Sequence, residues 1–381
     1  MVVRKLLIPN FNSATWDSEA ISKPTTAFSY TLCVIFHQDM AINFQDNDPS
    51  LESQWRAIIL FGKNSATYKF AFGKALLELT SKETNSISLK ELSPIFVKTI
   101  LEHLKNNDKQ GNSNSSTFLD ACRKFNNQEI SYDNLISITE KYGFTNVVDA
   151  FQNVNGGIIP NQFYQKDYNG SSKRIVITDD LLRLKESYQF ANFNDEVEAR
   201  WNLVETAWNL EINPNLLEVK IDDDLQTLFI ENDFMRRVDI TSAKASLNGY
   251  QKGKCFYSFQ DISIISGNEN LCAVDHFFPH VHKISLNQSG ANINGVWNLV
   301  LAEKFVNLDK SAKIPELKYL ERLYKRNEFY IASKHPLGET IVNQTGKTAK
   351  ERRQFLQKQY DLSVNLSIQK WKPKVELEPL F

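Results

Sequence analysis

The stretch Ala273–Pro315 reads AVDHFFPHVHKISLNQSGANINGVWNLVLAEKFVNLDKSAKIP. Val274-Asp275-His276-Phe277 reads as a strand, and a loop of about twenty residues rich in Asn, Ser and Gly follows it. Trp297–Ala302 reads as a second strand, and a helix is predicted from about Glu303 past Lys310. Successive side chains on a strand point to opposite faces, so Asp275 and His276 form a site only if the neighbouring helix, which carries Asn307, completes it.

The residue types suit phosphodiester cleavage. A base must take a proton from water, and histidine has the unperturbed pKa nearest neutrality, which gives that role to His276. A hard cation that neutralises charge on the phosphoryl group and the departing oxygen wants a few oxygen ligands while keeping its waters.

Asp275-His276, Asn298-Leu299-Val300-Leu301, Asn307-Leu308-Asp309-Lys310-Ser311 and Pro315 occur in one order. Together they resemble the HNH nuclease family, most closely the asparagine-terminated variant found in RNA-guided CRISPR effector nucleases. Strand, loop, strand, helix is similar to the ββα-metal arrangement of that family. The resemblance covers well under half the chain. It implies an endonuclease that hydrolyses DNA to 5′ phosphate and 3′ hydroxyl ends, with Mg²⁺ (or Mn²⁺) held by Asp275 and Asn307. It also implies that Asn298 holds the loop by side-chain hydrogen bonds, which makes His276, Asp275, Asn298 and Asn307 the catalytic set. Stand-alone proteins of this kind with a helical companion often serve restriction or anti-phage defence, and that sets the expected biological role.

Two departures from the family pattern matter. The first of the usual two zinc-binding CxxC pairs is reduced to Cys255-x-x-Ser258 and no second pair exists, so no structural zinc is expected. The third signature position is Asn307 rather than His, which favours Mg²⁺ over softer metals. Competing readings are a nucleic-acid-binding regulatory protein with a silent HNH fold and an RNA-directed nuclease.

Nucleic-acid contacts are expected from Lys310, three residues after Asn307 on the same helix face, and from His280, His282 and Lys313. Two basic amphipathic helices are predicted, Pro315–Tyr330 with Arg322 and Arg326, and Lys347–Lys358 capped by Thr348. Both offer phosphate contacts, which position a backbone without reading its sequence.

The remaining residues place this stretch in a larger protein. A chain of 381 residues exceeds a single core and suits two domains, set here at 1–234 and 235–381. Hydrophobic residues make up 42% and aromatics 12%, enough to build packed interiors. Net charge is −9 over residues 1–235 and +8 over residues 236–381, so the basic part is the part that resembles a nuclease. The acidic N-terminal region is a candidate surface for a partner protein or oligomer. Cys33, Cys122, Cys255 and Cys272 lie far apart without a disulfide framework, and no stretch approaches a membrane helix. A cytoplasmic protein without membrane contact is the expectation.

The fold class read from these patterns is α+β, mainly α: a helical N-terminal region followed by a C-terminal HNH module with flanking helices. Predicted N-terminal elements are helices from Ser65 to about Leu79, from Ser93-Pro94 to Lys105, and over 117–126, 131–142, 145–153, 179–187 and 194–209, with a strand over Arg174–Thr178. Gly62-Lys63-Asn64-Ser65 lacks the glycines of a phosphate loop and reads as a helix-start loop. A further helix is predicted over Thr241–Tyr250, and Trp371–Phe381 as an extended tail.

Overall fold

The structure is a computed structural model that describes residues 49–381 apart from 62–65, 83, 112–114, 155–156, 171, 210–219, 223–226, 232–236, 334 and 368. Cys33 and the Gly62–Ser65 loop therefore lie outside the described residues, as does the expected boundary at 234/235. The chain is α+β and mainly helical. No helix among the described residues is long and apolar enough to cross a membrane.

The N-terminal helices are α1 (Leu51–Leu60), α2 (Tyr68–Leu79), α3 (Leu89–Asn106), α4 (Thr117–Asn126), α5 (Tyr132–Ile138), α6 (Val147–Ala150), α7 (Asp179–Lys185) and α8 (Phe190–Asn209). A small antiparallel sheet joins them, with β3 (Arg174–Ile177) between β1 (Ser86–Ser88) and β2 (Tyr164–Asp167). Ser93-Pro94 is not the start of α3, which begins five residues earlier. Ser88 and Glu91 form a reciprocal capping box there that satisfies two of the free amides of the first turn. Pro94 is carried inside the helix, and the Ser93 hydroxyl donates to the Leu89 carbonyl at 2.7 Å.

The N-terminal core is aromatic. Trp55 packs edge-on to Phe163 at 5.5 Å, and Phe72 does the same to Phe151 and Tyr164. At its margin the His103 ring lies flat on Trp201, 3.7 Å between centroids, with Nδ1 2.9 Å from Glu205 and Nε2 3.2 Å from Glu198. Burial disfavours the imidazolium, but the hydrogen bonds to Glu198 and Glu205 outweigh it and raise its pKa to about 9. A folded pKa above the unfolded value of ~6.5 means that this stabilisation is whole below pH ~6.5 and fades as pH rises through about 9. Urea unfolding should therefore show wild type losing on the order of 2–3 kcal/mol more than His103→Gln between those limits. Parallel pH curves for the two proteins would refute this.

The C-terminal core gathers β4 (Lys220–Asp222), β5 (Thr227–Glu231) and β6 (Arg237–Ser242), an antiparallel meander, with α9 (Ala243–Gln251) and all that follows. Ile221 and Leu228 pack into this core, so it reaches back before residue 235. β7 (Cys272–His276) pairs antiparallel with β8 (Leu299–Glu303). Between them lie a short 3₁₀ turn, His280–His282, and α10 (Lys283–Gln288), where the sequence reading had only a loop. α11 (Lys304–Lys310), α12 (Leu317–Ala332), α13 (Pro336–Thr345) and α14 (Ala349–Leu366) complete the chain, with a Thr348–Glu351 capping box starting α14. Cys122, Cys255 and Cys272 are free and buried.

Helices α1 and α8 serve both cores. Trp55, Ile58 and Ile59 face the N-terminal cluster, whereas Ala57, Leu60 and Phe61 face the C-terminal one with Leu203 of α8. A helix buried on nearly every side must have its polar groups satisfied by neighbouring elements. Its one cation, Arg56, is matched bidentately by Glu196 at 2.8 and 2.9 Å, and Asn248 of α9 donates to the same carboxylate.

Candidate active site

The β7–β8 ladder sets Asp275 opposite Val300 and His276 opposite Leu299, and β8 runs directly into α11. Of the seven residues in α11, Val306 and Lys310 are buried against the strands, and Asn307 sits half-buried at the edge of that face. Ser311, with φ +47°, ends the helix in the left-handed region.

Asp275 is held from two sides. The Tyr257 hydroxyl donates to Oδ2 at 2.6 Å, and the Lys310 ammonium donates to Oδ1 at 3.0 Å and to the His276 carbonyl at 2.7 Å. Burial pushes the Asp275 carboxyl up, while Lys310 and the Tyr257 hydroxyl pull it down without cancelling that rise. The structure thus corrects the expectation for Lys310. It is fully buried as the counter-charge of Asp275, because a carboxylate withdrawn from water needs a partner more than a distant phosphate does.

His276 is 8% exposed, and the exposed His280 ring stands edge-on over it at 4.1 Å. Burial, then the nearby His280 and Lys310, lower the His276 pKa to about 3, with the neighbouring Asn294 side chain acting the other way. The imidazole is neutral at physiological pH, the protonation state a general base requires, and an anionic phosphate beside it would raise its basicity.

Asn298 has no exposed surface. Its Oδ1 accepts from the Phe278 amide at 2.9 Å, and its Nδ2 donates to the carbonyls of Ile293 and Phe278. These bonds join both ends of the β7–β8 connection and keep the side chain away from any substrate. Asn298→Ala orphans three buried backbone groups, so a loss of about 2–4 kcal/mol is expected in denaturant unfolding. A change below 1 kcal/mol would remove Asn298 as the clasp of this loop.

Several expected nucleic-acid contacts are committed elsewhere. His282 is buried, with Nε2 3.1 Å from the Ser367 hydroxyl, which ties the connection to the end of α14. Arg326 is 1% exposed and donates to the Val296 and Trp297 carbonyls. Arg322 binds the Phe256 and Tyr257 carbonyls and Glu376, and stands 4.2 Å from the Phe259 ring centre. The reason is common to both arginines: guanidinium donors satisfy carbonyls left free by turns, while the stems pack on rings. Lys313 is partly exposed and donates to the Asp309 carbonyl, so of the expected set His280 and Lys313 face solvent.

Tyr257 completes the site and escaped the sequence reading. Tyr257 stands 18 residues before Asp275 in a segment noted only for its incomplete CxxC, and nothing local marks it as a carboxylate partner. Comparisons with protein-family models, curated proteins and solved structures gave no match.

For a hard divalent ion, the donor chemistry of Asp275 and Asn307 is suitable: one carboxylate and one amide oxygen, with water free to supply the rest. The Asn307 side chain makes no hydrogen bond among the described residues. Both oxygens of Asp275 are already engaged, however, and among the described residues no three His, Cys, Asp or Glu side chains gather to hold an ion. A cation arriving at Asp275 would have to displace the Lys310 ammonium.

Proposed function

We propose that this chain is a metal-dependent endonuclease of HNH type that hydrolyses phosphodiester bonds in DNA. The observation that carries the reading is the β7–β8–α11 unit, in which Asp275 and His276 share a strand and the helix bearing Asn307 reaches back to the Asp275 carboxylate through Lys310. In this reading, neutral His276 takes the proton from the attacking water. Tyr257 orients Asp275, and Asn298 fixes the connection that carries His280 over the base. Asp275 and Asn307 would hold Mg²⁺ or Mn²⁺, which when bound neutralises charge on the phosphoryl group and leaving oxygen. His280 and Lys313 meet the phosphate backbone, and the net +8 of residues 236–381 draws it in.

The Lys310–Asp275 ion pair favours a second reading: an HNH-like fold that binds nucleic acid and does not cut. Incubating wild type and Asn307→Ala with plasmid, single-stranded DNA and RNA, each with Mg²⁺, Mn²⁺ or chelator, separates the two. DNA cutting that requires metal and falls in Asn307→Ala supports the nuclease. Binding without cutting under every metal leaves the silent fold, and preferred cutting of RNA moves the substrate.

A further inference from the structure

Away from Asp275, a cavity at the junction of the two cores is lined by Arg56, Glu196, Arg200, Ser246 and His335 among others. Arg200, on α8, is 2% exposed and makes one hydrogen bond, from Nη2 to the Leu60 carbonyl at 3.3 Å. Its Nε and Nη1 have no partner, and no carboxylate among the described residues pairs with it. A guanidinium stays protonated in proteins, so this is a buried charge rather than a neutral polar group.

The surroundings add positive charge, and the neutral acceptors nearby, the Ser246 and Tyr330 hydroxyls, carry no charge to offset it. Glu196 gives both oxygens to Arg56 and one of them also to Asn248. The Lys69 ammonium, bonded to the Phe61 carbonyl, lies close enough to repel Arg200. Burial and that repulsion lower Lys69 to about 7, and burial lowers Arg200 to about 9. The Ser246 hydroxyl donates to Ser242. His335 Nδ1 accepts from the Leu337 amide, which leaves the ring proton on Nε2. Water satisfies donors but does not neutralise two neighbouring cations, whereas an anion does both.

We propose that this cavity holds a small inorganic anion, bound by the Nε and Nη1 hydrogens of Arg200, as a bridge between the helical region and the C-terminal core. The cavity is small and walled largely by apolar side chains around the Arg200 guanidinium, so its ligand is of chloride or orthophosphate size. It stands independently of the nuclease reading.

The test uses the full chain, melted in gluconate buffer with chloride or orthophosphate replacing gluconate at constant ionic strength. A saturable rise in Tm of about 2–4 °C is expected for wild type. Equilibrium dialysis with labelled chloride or orthophosphate should show one bound ion per chain. Arg200→Met, which removes the charge and keeps the bulk, should lose both the rise and the bound ion, and in gluconate should melt no lower than wild type. Should that variant not fold, Arg200→Lys should shift the half-saturating concentration upward at least tenfold. A response to orthophosphate alone assigns an oxyanion, and a response to both assigns a site of halide size. Wild-type melting that follows ionic strength only, or an undiminished response in Arg200→Met, overturns the site.

Discussion

His276→Ala should lower the rate of DNA cleavage by about 10²–10⁴-fold while leaving DNA binding in chelator unchanged. The imidazole is the one neutral base on β7, and the nearest other imidazole, His280, lies outside the strand on the solvent side of it, 4.1 Å between ring centres. The pH profile sharpens the test. With a free-enzyme pKa lowered to about 3, kcat/KM should show no acid limb near pH 6.5. The same group bears on stability with the opposite sign to His103. A folded pKa below the unfolded ~6.5 contributes stability above pH ~6.5 that is lost as pH falls toward about 3, because the unfolded chain binds the proton first. His276→Ala should therefore resist acid better than wild type even as it loses activity. Full cleavage by the variant would take the base out of the mechanism.

Lys310→Met should destabilise the metal-free protein by about 3–5 kcal/mol, because it leaves the buried Asp275 carboxylate without its counter-charge. If Asp275 is a metal ligand, Mg²⁺ should restore much of that loss in the variant by taking the place of the ammonium. The double variant Asp275→Asn/Lys310→Met, with no charge left to compensate, should be more stable than Lys310→Met alone and indifferent to Mg²⁺. Urea unfolding of the three proteins with Mg²⁺ or chelator reads all of this at once. A Lys310→Met protein equally unstable with and without Mg²⁺ would favour the silent fold.

Local signals sufficed where the chain makes its own structure. Alternating and apolar runs placed β7 and β8 within two residues at each end, and Thr117–Asn126 was delimited as observed. Thr348 was read correctly as a cap because its hydroxyl binds an amide three residues away. The start of α3 was equally local and was misplaced, since Pro94 drew attention from the Ser88–Glu91 box. The meander β4–β6 and helix α13 went unread, as each segment is too short for its apolar periodicity to stand out in a single sequence.

By itself the sequence determined the order of the elements around Asp275 and His276, because backbone hydrogen bonding and side-chain alternation act over a few residues. Only the tertiary structure decided where the charges go. Lys310, Arg322, Arg326 and His282 all read as solvent-facing phosphate contacts, yet each turns toward a carboxylate, carbonyl or hydroxyl that folding delivers from 29 to 85 residues away in sequence. A long polar side chain commits its direction only after the rest of the chain has removed water and supplied a partner.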